Sequence, residues 1–346
     1  MKKTELTGLT FRELRDWTTG EMGMRPYRAG QLFTWVHRRR VGSFDDMTDI
    51  SLDARAQLDG RAKLTRLVTV NTLSAVDGTV KHCFVLDDDE HIESVLIPDE
   101  PRLTACLSTQ VGCKCGCIFC QTGLAGFRRD LSAAEMVAQL YALQDFTDQR
   151  ISNVVFMGMG EPLDNFRNLE DALSIISDDR GICIGARKIT VSTIGLPGGI
   201  ARLAGLEGQY GLAVSLHSAV PATRRKLVPA SRALSLKELK HDLLLYNEMT
   251  GRRVTLEYCL ISGLNDSISE AAALAGFCAD IQCKINLLVY NPVKGMDLHR
   301  PGPAEVEKFM EYLYPRCQAV TLRRSRGSDI AAACGQLGAS RMLPNR

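Results

Sequence analysis

The chain has 346 residues, 45% of them apolar, and carries 42 Lys and Arg against 40 Asp and Glu, a net charge of +2. That length suits two domains, or one α/β barrel with an appendage, and the apolar share suffices for a large core. The balanced charge excludes a chain whose composition alone announces nucleic acid, and no apolar run reaches the roughly 18 residues of a transmembrane helix.

The opening stretch MKKTELTGLTFRELRDW turns polar too soon for a secretory signal, so a cytosolic protein with no membrane contact is expected. Residues 1–60 predict a small helical domain. In RAGQLFTWVHRRR, Leu32, Trp35 and Val36 share one helical face, and Gly42 is expected to end the helix. Residues 61–100 change to a period of two in AKLTRLVTV, TVKHCFVLDD and HIESVLIP, with DG and DDDE as turns. They read as a β extension or linker.

From 101 to 340, seven short apolar runs (TACLST, ISNVVFMGM, KITVST, YGLAVSLHS, RVTLEYCLI, KINLLVYNP, AVTLRRS) alternate with helical stretches at 133–146, 236–249 and 303–315 among others. Ser132 and Glu135 form a capping box at the first of these helices. The alternation predicts parallel βαβ units of an α/β fold, and without a dinucleotide-binding fingerprint it favours an incomplete (β/α)6 barrel. Chemistry in such barrels sits at the C-terminal ends of the strands. There fall MGMGEP, STIG, SLHS and YNP.

Twelve cysteines is a high count for a reducing compartment, where a tight cluster points to metal or redox chemistry. Cys83, Cys183, Cys259, Cys278, Cys283 and Cys317 lie among apolar neighbours and are expected to be inert packing. The stretch VGCKCGCIFCQTG is different. No second C-x-x-C accompanies it, which argues against a zinc ribbon, and it lacks the fourth, proline-flanked cysteine of a ferredoxin. Cys113, Cys117 and Cys120 remain, with the spacing C-x3-C-x2-C that marks radical S-adenosylmethionine (SAM) enzymes. Three thiolates on a 4Fe–4S cube leave one iron open for a chelating ligand. Cys115 is expected to be a passenger; a zinc knuckle that uses it is the competing reading.

A SAM site fits the other strand ends. Gly158 and Gly160 allow close backbone approach, and the Glu161 carboxylate suits an amino group. Ser192, the turn Ser215, Leu216 and His217, and Asn291 offer hydroxyl, backbone and amide partners for a ribose or adenine. Basic residues cluster at Arg25, Arg28, Arg38, Arg39 and Arg40, a plausible phosphate contact, and again in RRK at 224–226 and TLRRSRG at 321–327.

Together, CLSTQVGCKCGCIFCQTGLAGFRRDL, VVFMGMGEPLDN, ITVSTIG, SLHS, CKINLLVYNP and RGSDIAAACGQL resemble the RlmN/Cfr family of RNA-methylating radical SAM enzymes. RPYRAGQLFTWVHRRRVGSFDDMTDIS resembles the family's N-terminal RNA-binding domain. The resemblance implies a 4Fe–4S cluster and two SAM molecules. One SAM methylates Cys334; the second, reduced by the cluster, yields a radical that takes hydrogen from that methyl group, and the carbon radical adds to an adenine. Cys106 then releases the covalent adduct through a transient disulfide with Cys334, and Glu93 matches the family's proton acceptor. The implied substrates are 23S rRNA and tRNA, served by a one-electron reductant protein such as a flavodoxin or ferredoxin, and a monomer is expected. TLRRSRGSDIAAACGQL resembles the adenine-C2 branch; adenine-C8 methylation and a radical SAM enzyme on a non-RNA substrate are the alternatives. A zinc-dependent RNA-binding module is a third. Twelve residues follow Cys334, fewer than in many C2 relatives, which puts an RNA contact by that tail in doubt but not the chemistry.

Overall fold

The computed structural model describes residues 3–230 and 233–338; the tail beyond Gly338, with its doubtful RNA contact, lies outside the described residues. Helices α1 (Phe11–Gly20), α2 (Tyr27–Phe33) and α3 (Leu52–Arg61) meet around Leu14, Trp17, Leu32, Phe33 and Leu58. Leu14 and Trp17, three apart, form the buried stripe of α1. Thr10 and Glu13 cap its N-terminus reciprocally, worth about 1 kcal/mol. The helix after Tyr27 does not run to Gly42. It widens into one π turn, Thr34–Arg38, which lets the consecutive Trp35, Val36 and His37 all be buried. The helix has ended before Arg40, which takes a left-handed φ of 53°.

One ten-stranded sheet organises the rest. Its strands are β1 (Val68–Ser74), β2 (Val80–Val85), β3 (His91–Asp99), β4 (Arg102–Cys106), β5 (Asn153–Phe156), β6 (Ile189–Thr193), β7 (Gly211–Ser215), β8 (Val254–Leu260), β9 (Cys283–Val289) and β10 (Val320–Arg323). Each strand pairs with its neighbour in sequence. From β1 to β4 the pairing is antiparallel, so the β extension continues the barrel sheet. From β4 to β10 every pairing is parallel, giving six β/α crossovers.

The crossover helices include α4 (Ala133–Asp145), α5 (Phe166–Ser177), α6 (Gly199–Ala204), α7 (Pro221–Leu227), α8 (Leu236–Thr250), α9 (Ile268–Cys278) and α10 (Pro303–Leu313). The Ser132–Glu135 capping box opens α4, and Ser235 with Glu238 does the same for α8. Because helices cover the parallel strands, residues such as Val154, Val191, Val214, Leu256 and Leu287 are fully buried in one core.

The helical unit sits on α4. His37 Nδ1 lies 2.5 Å from the Tyr141 hydroxyl, and Arg40 and Arg66 both pair with Asp145, at 3.2 and 3.3 Å. No helix among the described residues is long and apolar enough to cross a membrane.

Candidate active site

The loop from 113 to 120 is framed by a short antiparallel hairpin, Gln110–Gly112 against Phe127–Asp130. Gly112, at φ 78°, is obligatory there, since a Cβ would fall 1.7 Å from the Gly126 carbonyl. The hairpin sets the loop over the C-terminal strand ends, where Cys113, Cys117 and Cys120 line one cavity. Burial first, then the neighbouring Cys120 and Cys113, pushes the Cys117 thiol well up; burial also raises Cys120. Three converging thiols, two of which resist ionisation by themselves, are suited to a cationic metal centre, which takes them as thiolates. Cys115 is buried on the same wall, and its N–H lies 3.5 Å from Cys113 Sγ. Its thiol also hydrogen-bonds to Cys113, lowering that thiol and raising its own.

The sequence-predicted SAM residues divide. Gly160, Glu161, Ser192, Ser215, His217 and Asn291 lie on the cavity wall. Gly158 joins them there and has no room for a side chain, a Cβ falling 2.7 Å from the Leu107 carbonyl. Leu216 points into the core, and its N–H is spent on the Glu257 carbonyl at 3.0 Å. Glu161 accepts the Leu163 N–H at 3.1 Å and the Ile194 N–H at 3.0 Å. Burial outweighs these bonds and pushes its carboxyl up to about 7. His217 adopts a left-handed φ of 57° and accepts the Cys259 N–H through Nδ1 at 3.1 Å. Burial, helped by Arg224, holds its imidazole neutral, with a pKa lowered to about 3.

Cys106 ends β4 and Arg323 ends β10, at opposite ends of the parallel arc, yet the curvature brings both to this cavity. Cys334 joins them at the mouth, where it is solvent-accessible. Its loop is fastened on two sides: Gln121 N–H donates to the Gly335 carbonyl at 2.7 Å, and Gln336 Nε2 to the Pro292 carbonyl at 2.9 Å. The two thiols are close enough to interact: burial, then Cys334, pushes Cys106 up to about 12. Glu93 is not on the wall. It lies buried behind the Cys334 loop, its Oε1 3.5 Å from Lys81 Nζ and its Oε2 accepting the Gly338 N–H at 2.6 Å.

The N-terminal arginines are dispersed. Arg28 is occupied by Gln31 and the Asp49 carbonyl, and Arg39 stacks on Trp35 at 3.9 Å. Arg38 and Arg40 line a second cavity with Arg150 and Cys183, beside the loops that enter β5 and β6 and so at the end of the sheet away from the cysteines. Arg25 is exposed.

Sequence reasoning missed several residues. Cys259, expected as inert packing, lies on the cavity wall, and Cys183 is exposed at a left-handed φ of 58° because it turns a surface loop. Glu257 and Arg323 also line the wall; the available signals were the strand-end position of Arg323 and a carboxylate in the middle of the largely apolar strand β8.

A three-cysteine loop after the first parallel strand of an open barrel, with glycine and carboxylate following the second, defines the radical SAM class. The family model described as Radical SAM superfamily matches residues 107–275, and the one described as Ribosomal RNA large subunit methyltransferase N-terminal domain matches residues 4–64. Over 330 residues the chain is 42% identical to a Bacillus subtilis (strain 168) protein named probable dual-specificity RNA methyltransferase RlmN, covering 94% of this chain and 91% of that one. A Staphylococcus carnosus (strain TM300) protein of the same name is 41% identical over 340 residues, covering 97% and 93%. The crystal structure of a radical SAM methyltransferase from Sphaerobacter thermophilus superposes with a TM-score of 0.91 at 40% identity, covering 97% of this chain and 99% of that one. The chain belongs to the RlmN family of radical SAM RNA methyltransferases.

Proposed function

We propose that this enzyme methylates C2 of adenosine in 23S rRNA and in tRNA, with Cys334 as methyl carrier and Cys106 as the thiol that releases the product. The observation that carries this reading is the shared cavity of Cys106, Cys334 and the three loop cysteines. Two separate thiols beyond the cluster loop are superfluous for a radical SAM enzyme that only abstracts hydrogen.

Cys113, Cys117 and Cys120 would hold the cluster; Gly160, Glu161, Ser192, Ser215, His217 and Asn291 would hold SAM. When bound, these groups supply the methyl group and the one-electron chemistry that activates it. A reductant protein such as a flavodoxin or ferredoxin delivers the electrons. The chain's own residues do the rest. The Cys334 sulfur takes the methyl group, and its fastened loop keeps it at the mouth, where an adenine turned out of its stack can reach it. After the carbon–carbon bond to the base has formed, Cys106 attacks the Cys334 sulfur. An S–S bond forms, the S–CH2 bond breaks, and its electron pair stays on the carbon, which takes a proton to become methyl. An external dithiol restores both cysteines. Glu93 accepts the proton lost from the ring carbon, and the adduct's surplus electron would return to the bound one-electron carrier before Cys106 attacks. Since Gly338 occupies the Glu93 Oε2, proton transfer requires the Cys334 loop to shift. At the rim, exposed Arg324 with half-buried Arg323 and Arg326 offers cations for the RNA phosphates.

The test is nucleoside mass spectrometry on rRNA and tRNA from a host lacking its own enzyme, expressing this chain or Cys334→Ala. 2-Methyladenosine in both RNAs with the intact chain alone is the expected result. 8-Methyladenosine would overturn the regiochemistry, and absence of both from cluster-loaded protein would overturn the substrate.

A further inference from the structure

Arg224, on α7, is only 4% exposed. Its Nη2 donates to the Ile194 carbonyl at 2.6 Å, but its Nε is buried with no partner, and no carboxylate pairs with it among the described residues. A buried, unpaired cation is strongly unfavourable and persists only where something offsets its charge. Backbone carbonyls do so weakly.

The surroundings identify what does. The Leu227 carbonyl at the end of α7 accepts the Ile118 N–H at 3.1 Å, which stitches this helix to the cysteine loop. Leu227 and Val228 pack in one cluster with Cys113, Cys115, Cys117 and Ile194. Arg224 and Cys117 stabilise each other's charged forms: the arginine draws the thiol down, and the thiolate supports the guanidinium against burial. Of the two carboxylates near these cysteines, Glu161 and Asp164, Glu161 is held by the N–H of the same Ile194 whose carbonyl holds Arg224. One residue, Ile194, therefore lies between the cation on the cluster side and the carboxylate on the SAM side.

We propose that Arg224 is the buried counter-cation of the iron–sulfur cluster, a positioning residue whose fixed charge offsets the anionic, thiolate-bound cube and raises its reduction potential. The proposal rests on the reading of Cys113, Cys117 and Cys120 as cluster ligands. A cube with a +2 core and three thiolates carries about one net negative charge, and reduction adds an electron that makes it about two; net charge is among the factors that set such potentials. A buried cation beside the ligand loop favours the reduced form. Its removal makes reduction harder. In the low-dielectric interior, neither water nor salt screens the interaction fully.

The experiment is an EPR-monitored redox titration with dithionite of the reconstituted full chain, as wild type, Arg224→Met and Arg224→Lys, with iron and sulfide assayed on each. The expected result is about four iron and four sulfide per wild-type chain, a more negative potential in Arg224→Met, and a potential near wild type in Arg224→Lys. If Arg224→Met fails to load while Arg224→Lys loads at the wild-type potential, the need for charge is upheld. An unchanged potential in fully loaded Arg224→Met overturns the proposal, as does equal loss of iron from both variants, which would make Arg224 a mere brace. Failure of the wild type itself to load would instead overturn the cluster reading.

Discussion

Lys81 and Glu93 form an ion pair across β2 and β3, with Nζ 3.5 Å from Oε1 and both side chains almost fully buried. Each also grips the segment that carries Cys334: Lys81 donates to the Ala331 carbonyl at 3.0 Å, and Glu93 accepts from Gly338 at 2.6 Å. The pair thus clasps that segment on both sides of the cysteine. Removing one partner leaves the other charged and buried. Lys81→Met is expected to cost about 3–5 kcal/mol, and Lys81→Met/Glu93→Leu less than the single change. Denaturant unfolding of proteins with equal iron content checks this. Iodoacetamide should also reach Cys334 faster in the single variant.

With Glu161 as the proposed partner of the SAM amino group, its carboxyl, pushed up to about 7, is expected to make SAM binding pH-dependent. Below that pH it is neutral and cannot pair with an ammonium group, so affinity rises as pH climbs through 7 and then levels off, by up to about tenfold per unit on the acid side. Without SAM the sign for stability is opposite. The folded carboxyl is a weaker acid than the unfolded one, so this residue's cost to the fold grows from pH 4.5 through 7, and acidification over that window relieves it. Calorimetric titration of cluster-loaded protein between pH 6 and 8 should show the slope, and Glu161→Gln should abolish it.

Arg324 at the mouth and Arg25 on the helical unit give different expectations for RNA. Arg324→Ala should weaken binding and lower the slope of log affinity against log salt by about 1. Arg25→Ala should do so only if RNA also spans the helical unit, and filter binding at several salt concentrations separates the two.

The bond between His37 and Tyr141 joins the helical unit to α4 inside the protein. His37 Nε2 already lacks a partner among the described residues, so Tyr141→Phe strips the ring of its remaining hydrogen bond. A loss of about 1–3 kcal/mol is expected, with SAM affinity unchanged. Thermal unfolding and SAM titration of the same preparation test both halves.

How far the sequence could be read follows from how local each signal is. A parallel strand covered on both faces reads as an unbroken apolar run, so all seven runs became β4 to β10. The proposed cluster ligands are marked by spacing within eight residues. The π turn at Thr34–Arg38 was invisible, because its cause is the simultaneous burial of Trp35, Val36 and His37 against partners far along the chain. Arg224 read as one residue of the basic cluster RRK, and only the packing of α7 under the cysteine loop turns it inward. Glu93 was found by resemblance, but its confinement behind the Cys334 loop depends on Lys81 and on Gly338, 245 residues away.

The sheet's neighbour-by-neighbour order bears on how the molecule is made. A chain synthesised from its N-terminus releases each strand just after the one it pairs with, so the sheet can zip up as it emerges, with no strand waiting for a distant partner. The loop proposed to hold the cluster leaves the ribosome early, while Cys334 follows the last strand. On that reading, metal insertion and docking of the carrier segment can be separated in time. The growing chain then offers its loop thiols to iron before the segment that later crowds them has emerged.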